Sequence, residues 1–241
     1  MQTMKLSIVI PTYNEERDLP RLLTALANQT FHDFEVIVAD NHSTDATQDI
    51  VRKFGARLVQ GGNPAEGRNA GAKAATGDTI IFFDADVFPP ADFVEKTIQE
   101  FQERKLDIAT ADTVPISDHL RDKAMHEVVN KYFRMLQSFF PHAPGFFIVC
   151  KKEVFDKVGG FDPEVKLAED HTFVMAASKV GKFAILKNVK IPVSARRITK
   201  EGRFKLSVKY IGSELHLIFI GPIKSDINHY RFGHNETLKK K

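Results

Sequence analysis

Short apolar runs rich in β-branched residues, each closed by a proline or an aspartate and separated by amphipathic stretches, constrain this chain more than any other feature. KLSIVIP (residues 5–11) and FEVIVAD (residues 34–40) read as buried parallel strands, because a strand covered on both faces needs apolar side chains on both. Between them Leu19, Leu22, Leu23 and Leu26 fall at the spacing of one helical face, with Asp18 placed as N-cap and Pro20 in the first turn. That is a βαβ unit. The alternation continues with a helix from residues 43–45 to Phe54, a strand at 56–60, a Gly/Asn/Pro turn into an Ala-rich helix that Gly77 terminates, and the strand TIIFF at 79–83. This order predicts a doubly wound α/β sheet whose ligands gather beyond the C-terminal strand ends, where Pro11, Asp40 and Asp84 fall.

Past Asp86 the pattern loosens into a helix over residues 92–104, a strand near 106–113 and a long mixed helix over 118–140. FFIVC then reads as a strand, KKEVFDKV as a short helix closed by Gly159, and residues 168–181 as a helix whose first turn carries Glu169 and Asp170, where the macrodipole favours them.

The totals exclude several classes. At 241 residues and 43% hydrophobic, the chain buries a full core. Its one cysteine, Cys150, rules out an internal disulfide framework and any multi-cysteine zinc site, so a metal must use oxygen or histidine ligands. It also fits a reducing, cytoplasmic setting. No stretch approaches the roughly 20 apolar residues that span a bilayer, so the expectation is a soluble or peripheral protein. Residues 181–241 carry 14 Lys and Arg against 4 Asp and Glu, leaving 20 against 27 in the first 180. A basic tail on an acidic body suggests an anionic partner, phosphate or a lipid surface; a plainly solvated face is the alternative.

The segment TIIFFDADVFPP poses the sharpest question, since carboxylates that leave a buried strand cost free energy unless solvent or a cation compensates them. Its aspartates do not stand alone. SIVIPTYNEE, VADNHSTD, GRNAG, FFDAD, GGFD and AED follow one another from Ser7 to Asp170, about two thirds of the chain. In these motifs the sequence resembles the family 2 glycosyltransferases, the large GT-A class that moves a sugar from a nucleotide-diphosphate donor. The resemblance implies a GT-A fold, a doubly wound, Rossmann-like mixed sheet flanked by helices. It also implies a catalytic domain over residues 1–195, with a nucleotide-binding part to about 112 and an acceptor part after it, and a basic, amphipathic, helical C-terminal extension over 196–241.

Such a reaction releases a diphosphate, whose charge a Mg²⁺ or Mn²⁺ ion neutralises through oxygen ligands. Asp84, Ala85 and Asp86 match the family's D-x-D motif, in which the last carboxylate reaches the metal and the first contacts the ribose or a metal-bound water. Alternation along an extended strand would send both aspartates to one side. Pro11, Thr12, Tyr13 and Glu15 match the first nucleotide-binding loop, with Tyr13 against the base. Asp40 matches the acidic residue that accepts a hydrogen bond from the base, and Ser43 and Asp45 share its loop, with helix capping as their alternative role. Arg68 and Asn69 match R-N-x-G, a guanidinium for the diphosphate or for a D-x-D carboxylate, against a surface salt bridge. Asp170 matches the general base of inverting members, which takes the proton of the acceptor hydroxyl. Glu169 caps the first turn or touches the acceptor. PGFF, with Gly145 and Phe146, corresponds to a loop beside the acceptor and the donor sugar. A late histidine adds a metal ligand in some relatives, but nothing in the sequence selects one among His171, His216, His229 and His234.

In the tail, Arg196, Arg197 and Arg203 are candidates to close over a diphosphate or meet lipid headgroups. Val208, Ile211, Leu215 and Ile218 recur at helical spacing, which leaves open an interfacial anchor at the cytoplasmic face of a membrane, a homodimer contact or a core helix. The acceptor is then a glycan or a lipid-linked group. Rival readings are a sugar-nucleotide nucleotidyltransferase, which lacks its Gly-rich basic loop here, an NAD-dependent oxidoreductase, which lacks G-x-G-x-x-G, and a catalytically silent scaffold. Nucleic acid is not expected as a partner, because the basic tail has no interleaved aromatics.

Overall fold

The computed structural model describes residues 5–196 and 202–224. A seven-stranded sheet forms its centre: β1 (Leu6–Thr12), β2 (Phe34–Asp40), β3 (Arg57–Gln60), β4 (Thr79–Phe83), β5 (Ile108–Ile116), β6 (Phe147–Lys151) and β7 (Phe183–Ser194). Their order across the sheet is β3-β2-β1-β4-β6-β5-β7. β6 alone runs against its neighbours, and every other pairing is parallel. The helices are α1 (Leu19–Ala27), α2 (Thr47–Lys53), α3 (Pro64–Ala74), α4 (Phe93–Glu103), α5 (Leu120–Leu136), α6 (Lys152–Val158), α7 (Glu169–Ala177) and α8 (Arg203–Phe219).

Strand alternation splits the core in two, as a doubly wound sheet requires. Leu6, Ile8 and Ile10 of β1 and Ile81 and Phe83 of β4 face α1 and α4 on one side. Val9, Ile80 and Phe82 face α3, α6 and α7 on the other. The predicted helical face of α1 is the buried one, with Leu19, Leu22, Leu23 and Leu26 all inside. On the second side Phe82, Phe155, Phe161 and Phe173 form an aromatic cluster in which Phe161 stacks on Phe173 with centroids 4.1 Å apart.

The fold departs from the sequence reading in three places, and it orients α8, which that reading left open. β7 was not anticipated: Lys187, Asn188 and Lys190 interrupt its apolar pattern, and its pairing with β5 skips from Ile185 to Lys190 across a bulge. β4 stops at Phe83 and residues 84–86 turn, so strand alternation does not govern where Asp84 and Asp86 point. Asp18 makes no side-chain cap on α1; the capping box belongs to α3, where Asn63 accepts from the Glu66 N–H and Glu66 accepts from that of Asn63. On α8 the stripe Val208, Ile211, Leu215 and Ile218 faces outward, while Ser213 and Leu217 are buried. The exposed row follows one helical face, and hydrophobic spacing alone gave no sign of which face packs.

Candidate active site

The C-terminal ends of β1 and β2 are stitched together by short polar side chains. Asp40 accepts from Thr12 Oγ1 at 3.0 Å, from the Ser43 N–H at 2.9 Å and from Gln48 Nε2 at 2.8 Å. Asn14, with φ of 52°, accepts from the Thr44 N–H, and its own N–H donates to Ser43 Oγ at 2.8 Å. Both Asp40 oxygens therefore already have partners in the protein, so its first role is to shape this loop pair, with half-buried Tyr13 at its rim. Asp45 accepts from the Thr47 N–H at 2.9 Å, a local turn just ahead of α2; the N-cap position itself is Ala46, with no side-chain cap, so neither Ser43 nor Asp45 caps the helix as their alternative reading expects.

Arg68 is the second centre. Its side chain is 3% exposed, and its two terminal nitrogens donate to Asp84 at 2.8 Å and Glu169 at 2.6 Å. This is a buried bridge, not a surface one. Burial alone would pull the guanidinium pKa down, but the charges of Asp84, Glu169 and Asp170 outweigh it and hold the group above its ordinary value. α3 brings Arg68 this close because Gly71 faces β1 without a side chain: a Cβ there would meet Val9 Cγ1 at 2.2 Å. Gly145 closes the other side, where a Cβ would lie 2.7 Å from Arg68 Nη2 and 2.8 Å from Asp170 Oδ2. Neighbouring Phe146 accepts from the Asp84 N–H at 3.3 Å. The predicted residues Arg68, Asp84, Gly145, Phe146, Glu169 and Asp170 thus form one cluster. Glu169 neither caps its helix nor stands apart; it is a partner of Arg68.

Asn69 shows why R-N and G-G-F-D occur in one chain. Its amide donates to the Phe161 carbonyl at 2.7 Å and accepts from the Phe161 N–H at 2.9 Å. Gly160 has φ of 78°, and a Cβ there would run into Asn69 Oδ1 at 2.6 Å, so glycine is required twice over. Phe161 in turn lies beneath the Arg68 guanidinium at 5.3 Å. Sequence reasoning assigned Asn69 no partner, because the bracket joins residues far apart in the chain.

The third centre is Arg196, two residues past the end of β7. Ser194 N–H donates to the Asp86 carbonyl at 3.0 Å, which fixes the path of the chain there. Arg196 then reaches Glu15 at 2.9 Å, Asp18 at 2.7 Å and Asp86 at 3.3 Å. Burial raises the Glu15 pKa; Arg196 pulls it back, Asp86 and Asp18 push it up again, and the net shift is upward. Asp84 and Asp86 therefore have different cationic partners. Ala85 between them is buried. The carboxylates around Arg196 carry oxygen ligands of the type that Mg²⁺ and Mn²⁺ prefer, and in this structure the guanidinium supplies their compensating charge. Arg197 lies outside the described residues, as do His229 and His234.

Residues 7–159 match the family described as Glycosyl transferase family 2. The chain belongs to that family. Among its relatives, the poly(ribitol-phosphate) beta-glucosyltransferase of Bacillus spizizenii is 30% identical over 228 residues, which cover 88% of this chain and 35% of that protein. The chain therefore spans about a third of that relative's length. Staphylococcus aureus TarS 1-349 in complex with UDP-GlcNAc is 25% identical, with a TM-score of 0.63 over 79% of this chain and 58% of that one. The mannosyltransferase PcManGT of Pyrobaculum calidifontis, in complex with GDP-Man and Mn2+, shares the GT-A fold at a TM-score of 0.68 and 20% identity, covering 92% of this chain and 72% of that one. Against these structures the mixed sheet with its flanking helices is the GT-A arrangement. No described helix is long and apolar enough to cross a membrane.

Proposed function

We propose that the chain is the catalytic part of an inverting glycosyltransferase that moves a hexose from a nucleotide-diphosphate donor to a hydroxyl of a glycan or lipid-linked acceptor. The observation that carries this reading is the single guanidinium of Arg68 holding Asp84, on the donor side, together with Glu169 beside Asp170, on the acceptor side. The two halves of a displacement reaction are thereby fixed relative to each other. Of UDP and GDP, the likeness to TarS with UDP-GlcNAc bound favours a UDP-sugar.

In this reading Pro11, Thr12, Tyr13 and Glu15 line the nucleotide, and Asp40 keeps their loop in shape for the base. Asp170 takes the proton of the acceptor hydroxyl as its oxygen attacks the anomeric carbon, and the diphosphate leaves on the opposite side. Gly145 and Phe146 border the space for the sugar. Mg²⁺ or Mn²⁺ would be held by Asp86 and Asp84, with donor phosphates completing the ligands. When bound, it would neutralise the leaving diphosphate.

The Arg196–Asp86 contact favours a second reading, in which Arg196 swings from the carboxylates to the diphosphate and itself supplies positive charge. The outward apolar row of α8 supports contact with a membrane surface. Vesicle co-sedimentation checks this, and pelleting unchanged by Ile211→Ser/Leu215→Ser would dismiss it.

A thermal-shift panel of UDP- and GDP-sugars with and without Mn²⁺ tests the main reading. One donor should raise the melting temperature in a metal-dependent manner. Asp86→Ala should abolish the metal dependence, and Asp170→Asn should keep the shift while ending transfer. Transfer by Asp170→Asn at the wild-type rate, or no shift with any donor, would refute the assignment. A shift indifferent to Mn²⁺ and lost in Arg196→Gln would select the second reading.

A further inference from the structure

His142, His171 and Glu214 bring three metal-ligating side chains to one point from three separate segments: the loop before β6, the first turn of α7, and α8. One ligand atom from each lies within 4.8 Å of the others. Neither Asp84 nor Asp86 belongs to the group.

His142 Nε2 is 3.3 Å from one Glu214 oxygen, and His171 Nδ1 is 3.1 Å from the other. Both nitrogens are sealed from solvent, yet neither makes a hydrogen bond with proper geometry. The His142 side chain is 1% exposed. Buried imidazole nitrogens that approach a carboxylate without donating to it are aimed at a shared space between the groups. The spacing suits an ion there, since a tetrahedral centre with ligands at about 2.0–2.1 Å sets its ligand atoms about 3.3 Å apart.

The surroundings match as well. His142 Nδ1 lies 2.5 Å from the Phe140 carbonyl, a contact in which the ring must donate, and in the neutral ring this turns the Nε2 lone pair toward Glu214. A backbone carbonyl on the outer ring nitrogen is the usual partner of a metal-bound histidine. Phe133 and Phe140 pack on the His142 ring at 4.6 and 5.0 Å and shield the group.

We propose that His142, His171 and Glu214 form a binding site for a zinc-class divalent cation, distinct from any ion at Asp86 and independent of the donor reading. Two imidazoles and one carboxylate select Zn²⁺ or Co²⁺ over Mg²⁺ or Ca²⁺, and three protein ligands leave a fourth position for solvent. Glu214, at 18% side-chain exposure, marks the side from which the ion enters. A cation here pins α8 to the loop that carries Gly145 and to the helix that carries Asp170.

The test is titration of the chelator-stripped full chain with Co²⁺ alone, followed by visible absorption and melting temperature. A tetrahedral Co²⁺ band that saturates at one equivalent and is displaced by Zn²⁺ is expected, with a rise in melting temperature. The band should persist in Asp86→Asn and weaken at least about tenfold in Glu214→Gln and His142→Ala. Glu214→Gln keeps the side-chain shape, so with an unchanged circular dichroism spectrum it decides the matter if His142→Ala does not fold. No band in the wild type, a band undiminished in Glu214→Gln, or one lost in Asp86→Asn would overturn the proposal.

Discussion

The guanidinium of Arg68 donates to Asp84 at 2.8 Å from within the core, and Glu169 takes its other terminal nitrogen. Removing one member of a buried pair costs more than the pair contributes, because the remaining charges have nothing to compensate them. Arg68→Met should lower stability by about 3–5 kcal/mol in urea unfolding and end transfer. Arg68→Lys keeps the charge but not the fork, and should recover part of the stability without restoring full activity.

Gly145 separates the positioning of Asp170 from folding. A methyl at this site meets Arg68 and Asp170 at under 3 Å, and Arg68, buried and held by two ion pairs, yields little, so Asp170 must shift. Gly145→Ala should therefore cut kcat by about a hundredfold, the effect of a displacement near 1 Å at a reacting group. Its melting temperature should change far less than that of Arg68→Met.

Arg196 neutralises Glu15, Asp18 and Asp86 together. Arg196→Gln leaves three carboxylates without their shared guanidinium, and a divalent cation then no longer competes with it. Calorimetric titration should show Mn²⁺ binding tightened by about tenfold. Affinity equal to that of the wild type would mean that the ion does not use these oxygens.

Glu100, remote from the site, sets part of the acid stability. Burial works to raise its pKa, but the N–H groups of Asn188 and Lys187 and the charge of Arg104 outweigh it and hold it below 4.5. A depressed folded-state pKa gives stability that is complete above the ordinary glutamate value and is lost as pH falls through the folded one. Glu100→Gln should cost about 2 kcal/mol at neutral pH. Its unfolding free energy should then fall less steeply than that of the wild type below about pH 4.5, as followed by urea melts across the acid range.

Much of this was legible from local pattern. Strands such as FEVIVAD and the leucine face of α1 declare themselves because burial on a fixed geometry leaves a period in the sequence. The motif residues from Asp84 to Asp170 could be collected as one set before any contact was known. What stayed hidden were the pairings. Nothing near Asn69 says that it will bracket Phe161, and nothing near Asp18 says that its carboxylate will leave the helix end for Arg196. β7 escaped because its bulge and its lysines break the alternation that marks a strand. His142 and Glu214 sit in unremarkable segments, and only the docking of α8 makes them neighbours.

β6 enters the sheet against its neighbours, between β4 and β5. During synthesis, then, the chain through residue 146 holds a four-stranded sheet and a lone β5 with nothing to join them, and the apolar margin of β4 stays open until the next five residues emerge. Nascent chains stalled in that interval should be the ones that chaperones capture and that clump when released early.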